Sequence, residues 1–273
     1  MPRALPSLLL LLTLVLAPAS ALAQERGGGK EGGGPPAGPT EDGAELILKL
    51  EVAMEGKGDL DMIDKLCTRI QDFAKTSKDQ IQIDTLATML HKAVKKRDLL
   101  LKLKVLETLG ELQSPKSTKV LKRYAFVKAK KDDAVKLKAV AVAAIAKYRD
   151  PKNIAKLGDA MKSRDMTTAR NAIKGMEHYR NAKGKHRKKI AELLMKRLAG
   201  ERPSAGGQGS GNISAEQTER WNKLAPVIVS SMQAITRETT ISELENWQDW
   251  WKENKNRRKV WKDEKPEDEE EEA

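Results

Sequence analysis

Aromatic residues are scarce in this chain of 273 residues, where they make up only 4% of the sequence. A hydrophobic core must therefore be built mainly from aliphatic and alanine side chains. Cysteine is nearly absent too, and the one thiol, that of Cys67, excludes an intrachain disulfide. Packing alone must hold the fold together. We interpret Cys67 as a buried small hydrophobe in preference to a reactive thiol, because it shares a helical face with Ile63, Leu66, Ile70 and Phe73.

Long apolar runs are missing beyond the N-terminus. The first 23 residues combine Arg3, an apolar run from Leu8 to Leu16 and an Ala-Leu-Ala motif that ends at Ala23. This combination is typical of a secretory signal peptide with its cleavage site. The alternative is an uncleaved membrane anchor, which needs about 18 apolar residues in a row, whereas Pro18 interrupts this run. We therefore predict export to the periplasm or the extracellular space, cleavage near Ala23 and no membrane span.

Strand patterns and catalytic motifs are missing as well. No short run of residues has the composition of a β-strand, and no glycine cluster follows a strand as a phosphate-binding loop does. The three histidines, His91, His178 and His186, have no partner at a metal-ligand spacing. We predict no catalytic residue, no metal site and no cofactor, and hence a protein that is not an enzyme.

Helical periodicity is present instead, and it repeats. At an offset of 36 residues, Leu101, Lys102, Leu106, Leu109, Pro115, Lys116 and Leu121 fall on Leu137, Lys138, Val142, Ile145, Pro151, Lys152 and Leu157. At a further spacing of 31, Ala172, Met176, Tyr179, Arg180 and Asn181 correspond to Ala141, Ile145, Tyr148, Arg149 and Asp150. Periods in this range, made of helices alone, predict an α-solenoid.

The repeated motif resembles that of HEAT repeats. It reads Leu-Gly-x-Leu-x-Ser-Pro over 109–115 and Ile-Ala-Lys-Tyr-Arg-Asp-Pro over 145–151, and the resemblance extends over about residues 98–181. It implies an all-α, HEAT-like solenoid of stacked antiparallel helix pairs, with helices 99–112, 133–149 and 166–180 on its concave face. The third copy departs from the pattern, because Glu177 replaces the glycine and no Asp-Pro follows Tyr179.

Composition divides the chain into six segments. We predict a signal peptide over 1–23, a Gly/Pro-rich tether over 24–43, the repeat array over 44–199, a Gly-rich linker over 200–213, a helical pair over 214–262 and an acidic tail over 263–273. In the array we expect helices near 41–55, 60–75, 79–96, 99–112, 116–130, 133–149, 152–163, 166–180 and 185–199, followed by 214–237 and 242–261. Their expected N-terminal capping residues are Asp98, Ser114, Asp132, Asp150, Ser214 and Ser242.

All five tryptophans lie in the last 53 residues. Leu244, Trp247 and Trp251 form a stripe at helical spacing, which predicts that this helix caps the exposed end of the array. Trp250 lies off the centre of the stripe. It is our candidate for stacking on a sugar ring or a partner, although we favour the capping role. Secreted bacterial HEAT proteins end in a similar W-x-x-W-W segment.

Charge is unevenly distributed. The formal net charge is +12, although residues 263–272 alone contribute eight acids against Lys265. Lys102 and Lys138 occupy equivalent positions and Arg170 lies within one place of the third, so we predict a basic ridge on the concave face. Such a ridge would attract an acidic protein or an anionic envelope glycan. Nucleic acid is disfavoured, because aromatic residues are not interleaved with the basic ones.

These patterns favour a scaffold that binds a partner protein through the basic concave surface. The alternative is an electrostatic binder of anionic polysaccharide or another polyanion. A third alternative, an enzyme or enzyme accessory, follows only from the resemblance of some HEAT-like proteins to chromophore lyases, and no group of residues supports it. For the acidic tail we favour a role in solubility over competition with anionic ligands.

Overall fold

The computed structural model describes residues 43–55, 60–94, 98–203 and 214–263. All regular structure within these ranges is helical, which confirms the all-α prediction. The α-helices are α1 Gly43–Glu55, α2 Leu60–Thr76, α3 Gln80–Ala93, α4 Leu99–Leu112, α5 Thr118–Ala125, α6 Asp132–Ala146, α7 Ile154–Ala160, α8 Met166–Gly175, α9 Gly184–Glu201, α10 Ala215–Thr236 and α11 Leu244–Asn254. The predicted signal peptide and most of the tether, linker and acidic tail lie outside the described residues.

The helices lie in two rows that share one apolar core. The even row consists of α2, α4, α6, α8 and α10, each of which contacts the next. In the odd row, α1 contacts α3, α3 contacts the turn that leads into α5, and α7 contacts α9. Each helix of the odd row also packs against the even-numbered helix that follows it. Buried aliphatic and alanine side chains continue from α1 to α10 between the rows.

The 36-residue repeat reappears in the backbone. Gln113 and Arg149, which follow α4 and α6 at equivalent positions, both have left-handed φ values, of 47° and 52°. Ser114 Oγ then accepts a hydrogen bond from the Lys116 amide at 3.1 Å, and Asp150 Oδ1 accepts one from the Lys152 amide at 2.9 Å. Both predicted proline-initiated caps are confirmed. Each opens a short 3-10 turn, Pro115–Ser117 or Pro151–Asn153, before the α-helix starts.

Tyrosine side chains connect neighbouring repeats. The Tyr148 hydroxyl donates to the Leu109 carbonyl at 2.8 Å, and the Tyr179 hydroxyl donates to the Asp150 carbonyl at 3.1 Å. Tyr148 and Tyr179 are equivalent in the alignment of the second and third copies. The third copy nevertheless ends differently, because a 3-10 turn, Met176–Tyr179, follows α8 directly.

Two glycines allow the even row to pack tightly. A Cβ atom on Gly110 of α4 would lie 2.7 Å from the Cβ of Ala144 in α6. On the other side of α6, a Cβ on Gly175 of α8 would lie 2.7 Å from the Cβ of Ala146. These separations are well inside van der Waals contact, so the helices approach too closely to admit a methyl group at either position.

The remaining caps divide into confirmed and wrong predictions. Asp98 caps α4 by accepting from the Leu101 amide at 2.7 Å, and Ser214 caps α10 by accepting from the Gln217 amide at 3.1 Å. Asp132 is not a cap, because it is the first residue of α6 and Lys131 occupies the N-cap position. Ser242 is not one either: α11 begins at Leu244, after Glu243.

Helix α10 is held against the array by a partly buried ion pair. Helix α9 extends through Gly200 and Glu201, two residues into the segment predicted as a linker. The Glu201 carboxylate accepts from Arg220 Nε of α10 at 2.9 and 3.0 Å. The same guanidinium donates to the carbonyls of Ser163 and Arg164, so one side chain joins α9, α10 and the loop before α8.

The tryptophan helix lies against α9. Trp247 of α11 is fully buried in the core, and Trp251 is partly buried. Trp261 is also partly buried, and its ring meets those of Trp250 and Trp251 edge to face, at centroid distances of 6.2 and 6.1 Å. The Trp261 indole donates to the Asn254 carbonyl at 3.0 Å, which ties the chain after α11 back onto that helix.

Candidate interaction surfaces

A cleft of about 750 Å³ runs along the even row. Residues of α2, α4, α6 and α8 line it. Its apolar lining, which we call the floor, includes Leu100, Leu103, Val140 and Ala143 together with the buried Leu101 and Ala144. Leu100 is 75% exposed although it is a large aliphatic side chain in a helix of the array. The cleft therefore presents apolar surface of the kind that interaction sites use.

The repeat positions part of the cleft lining. Lining residues of α6 include Val140, Ala143 and Lys147, which are spaced three and four residues apart and thus share one helical face. At the offset of 36 residues they correspond to Lys104, Glu107 and Glu111 of α4, of which the first two also line the cleft. Equivalent positions thus form a continuous surface, while the side chains at those positions change from charged in α4 to largely apolar in α6.

Acidic residues outnumber basic ones in the cleft. Asp61 and Asp64 of α2, Asp98 before α4 and Glu107 of α4 line it, against Lys104 and Lys147. Lys147 forms an ion pair with Glu111. The basic lining side chains are therefore too few to neutralise the acids, and the cleft favours cationic groups at its α2 end.

The predicted basic ridge does not lie in this cleft. Lys102 and Lys138 each sit two residues from the floor positions Leu100 and Val140, about 200° around the helix. Both are partly buried, and Arg170 is exposed on α8. Among the described residues that line the cleft, none of these three is present. The lining residues of the cleft and the predicted ridge residues are therefore different sets, and a basic ridge on a concave face stays a prediction.

Positive charge is concentrated on the odd row and its loops. The turn before α5 and α5 itself carry Lys116, Lys119, Lys122 and Arg123 and no acid, whereas α4 balances two lysines with two glutamates. Lys122 lies 3.5 Å from Asp150, and Lys156 of α7 lies over the Phe126 ring at 5.3 Å. The repeat alignment matches Lys102 with Lys138 correctly, but it gives no information about which side of the molecule is more basic.

Trp250 is half-buried and already has aromatic neighbours. Its ring meets Trp247 at a centroid distance of 5.4 Å and Trp261 at 6.2 Å, both edge to face. These two contacts pack Trp250 into the tryptophan cluster. A cavity of about 450 Å³ beside Trp250 also contains Lys259 and the buried Arg187. The geometry assigns Trp250 a packing role first.

Sequence reasoning missed the apolar floor and its acidic rim. Helix α4 begins with three consecutive leucines, Leu99 to Leu101, so apolar residues occur on both sides of the helix. That pattern is a signal of a helix with a second apolar contact surface. It was available in the sequence, but only the packing shows which leucine faces outward.

The described part of the chain contains no group of three or more histidine, cysteine, aspartate or glutamate side chains arranged to hold a metal ion. In the same residues, no helix combines the length and the hydropathy that crossing a bilayer requires. No protein-family model matches the chain, and no curated protein resembles it to a significant degree.

Proposed function

We propose that this protein is an exported, non-enzymatic α-solenoid of the HEAT type that binds a partner protein in the cleft of its even row. The two helix rows, the repeated left-handed residue and proline turn, and the tyrosine bonds between repeats support stacked helix pairs. The buried Trp247 supports a capping role for α11. The first 23 residues support export, and sequencing the N-terminus of the mature protein tests it.

The observation that carries the binding proposal is the apolar floor of the cleft, above all the exposure of Leu100. Leaving one leucine in water costs about 1.5 to 3 kcal/mol relative to its burial. A partner that covers Leu100, Leu103 and Val140 would recover much of this free energy. Catalysis has no comparable support, because the described cleft residues form no nucleophile and base pair.

The cleft indicates the chemistry of the partner segment. Helices that pack side by side lie about 8 to 10 Å apart, so the four helices from α2 to α8 span roughly 25 to 30 Å. An extended segment of about eight residues covers that distance at roughly 3.3 Å per residue. We infer a segment with apolar side chains over α4 and α6 and a basic side chain near Asp61 and Asp64, in place of the acidic partner expected from the sequence.

A matched pair of variants tests the cleft. Leu100→Lys places a charge on the floor, whereas Ile81→Lys makes the same change at a residue of α3 that is 79% exposed and lies in the odd row. We expect Leu100→Lys to reduce partner capture in cells by about tenfold or more, as loss of a central apolar anchor does. Crosslinking in cells followed by a high-salt wash measures how much partner each variant captures.

Both side chains are mostly solvated, so both variants should keep the helicity and melting temperature of the parent protein. Capture by both variants at the level of the parent protein would overturn the proposal. Loss of capture to the same extent in both variants would overturn it too.

A polyanion binder remains the second candidate function, and one observation favours it. Exposed basic residues with no ion pair among the described residues continue from α5 into the following loop, namely Lys116, Lys119, Arg123, Lys128, Lys130 and Lys131. Binding through this surface should weaken steeply with salt and be insensitive to the Leu100→Lys change. Titration with a sulfated polysaccharide at two salt concentrations separates the two functions.

A further inference from the structure

A second pocket, of about 520 Å³, lies beyond the C-terminal ends of α6 and α8. Its walls come from the turn after α6, the 3-10 turn Met176–Tyr179, the loop before α9 and the first turn of α9. The charged and imidazole side chains that line it are Arg149, His178, Lys183, Lys185 and His186. No acidic residue is among the described residues of its lining, and it shares no lining residue with the cleft.

The cations of this pocket are available to a ligand. Arg149, Lys183 and Lys185 are exposed, and among the described residues no carboxylate lies within 4.0 Å of their charged groups. Nearby lysines differ in this respect, because Lys122 is paired with Asp150 and Lys147 with Glu111. Three unpaired cations around one concavity repel one another, and a bound anion would relieve that repulsion.

The pKa of His178, one of the two histidines in the pocket, is affected by the positive charge around it. Desolvation lowers the pKa of His178 first, and the charges of Lys147 and Arg149 lower it further. Glu177 and Glu111 act in the opposite direction and more weakly. The lowered pKa favours the neutral imidazole, which has a nitrogen that can donate a hydrogen bond to an anion without adding another full charge to the site.

The basic side chain at position 149 is not a requirement of the turn. Arg149 and its repeat equivalent Gln113 have nearly the same left-handed backbone, so the conformation belongs to the turn itself. In the first copy, the same turn position holds Gln113, which has a neutral amide side chain. On the other wall, Lys183 and Lys185 flank Gly184, where a Cβ atom would lie 1.6 Å from the Trp261 carbonyl oxygen. That close packing fixes the backbone between the two lysines.

We propose that this pocket binds an oxyanion of charge two or more, a phosphate or sulfate group carried by a small molecule or a glycan. Arg149, Lys183 and Lys185 supply charge-assisted hydrogen bonds from two sides, and His178 and His186 complete the ring of donors. The volume exceeds that of one oxyanion and leaves room for an attached ring beside Pro151 and Ala182. This site does not depend on partner binding in the cleft.

The three histidines of the chain allow a direct test. Full-length mature protein is titrated with inorganic pyrophosphate, and in parallel with sulfate, at constant ionic strength, while the imidazole resonances are followed by NMR. We expect the His178 and His186 signals to shift and saturate. The His91 signal, from α3 outside the pocket, should stay unchanged and serve as an internal control. The anion that binds more tightly identifies a phosphate or a sulfate ligand.

Two double variants with the same loss of charge complete the test. Arg149→Gln with Lys185→Gln removes two pocket cations, and the glutamine at 149 reproduces the residue that the first repeat already has in this backbone. Lys92→Gln with Lys136→Gln removes two exposed cations, on α3 and α6, that belong neither to this pocket nor to the basic surface of α5. We expect the first pair to lower affinity by about tenfold or more and the second to change it by less than about twofold.

Three outcomes would overturn the proposal: equal weakening by both double variants, shifts of all three histidines together, and no saturable binding of either anion at millimolar concentration. The first two would indicate only a diffuse field of positive charge. Leu100→Lys should leave anion binding intact, so failure of this site and failure of the cleft are distinguishable.

Discussion

Cys67 lies wholly inside the core, where burial raises the pKa of its thiol to about 11. A hydrogen bond with Thr108 opposes the shift but does not cancel it. The thiolate is therefore negligible at neutral pH, and the prediction of a structural cysteine is confirmed.

Arg187 is a buried charge that the sequence did not reveal. Its guanidinium donates to the Lys262 carbonyl at 2.8 Å and the Ile235 carbonyl at 3.4 Å, and so joins α9 to the C-terminal segment.

His91 makes the stability of the fold depend on pH. It is half-buried in α3, burial lowers its pKa below the ordinary value of about 6.5, and its Nε2 atom has no hydrogen-bond partner. The unfolded chain therefore binds the proton more tightly than the folded chain does. We expect the free energy of unfolding to fall as the pH drops below about 6.5, with a shallower fall in His91→Gln. Urea unfolding between pH 7 and pH 5 measures it, and identical slopes for the two proteins would contradict it.

Helix boundaries followed from local chemistry to within a few residues, and most of the differences have a physical cause. Helix α5 begins at Thr118 and α7 at Ile154, each two residues after its predicted start, because each proline opens a 3-10 turn before the α-helix forms. Helix α11 ends at Asn254, seven residues early. Beyond it, the Trp261 indole bonds to the Asn254 carbonyl at 3.0 Å, and the chain turns back to place that ring against Trp251.

Two glycine-to-alanine substitutions distinguish the effect of packing on stability from the effect of helix propensity. Gly110→Ala would force a methyl group against Ala144, so we expect it to lower the free energy of unfolding by about 1 to 3 kcal/mol through overpacking. Gly200→Ala is the control, because a Cβ there meets nothing within 4 Å and alanine is the better helix former. We expect it to be neutral or to stabilise by up to about 1 kcal/mol. Thermal unfolding distinguishes the two, and loss of stability at both positions would show that the close approach is not the cause.

Over the whole molecule, charge and apolar surface are segregated in a way that no single repeat shows. Helices α2, α4 and α6 are formally neutral, and the cleft across them has an apolar floor and an acidic end. Among the described residues, much of the excess positive charge lies on α5, on the following loop and near the start of α9. Asp263, the last described residue, accepts a hydrogen bond from the Gly184 amide, between the two lysines of the basic pocket.

The acidic sequence that follows Asp263 leads us to expect that the tail competes for that pocket. Residues 267–272 are all acidic, and the first of them follows Asp263 by four residues, a reach of at most about 14 Å. Their effective concentration near Lys183 and Lys185 is therefore high. We expect deletion of residues 267–273 to tighten pyrophosphate binding several-fold at low salt, with the difference disappearing at high salt. Unchanged affinity at low salt would leave the tail with the solubility role that its composition first favoured.

The local sequence was enough to predict the helical class, most helix ends, the proline-initiated turns and the burial of Cys67. Each of these features depends on residues within a few places along the chain. The offset of 36 residues further identified Pro151 and Lys138 as repeat positions, and the spacing of 31 residues identified Tyr148. Only tertiary packing decided that Lys102 and Lys138 turn away from the cleft while Leu100 faces it. It also brought Arg149, His178 and Lys185 to one pocket. Helical periodicity distinguishes the faces of one helix, but the neighbours packed against each face determine which of them meets solvent.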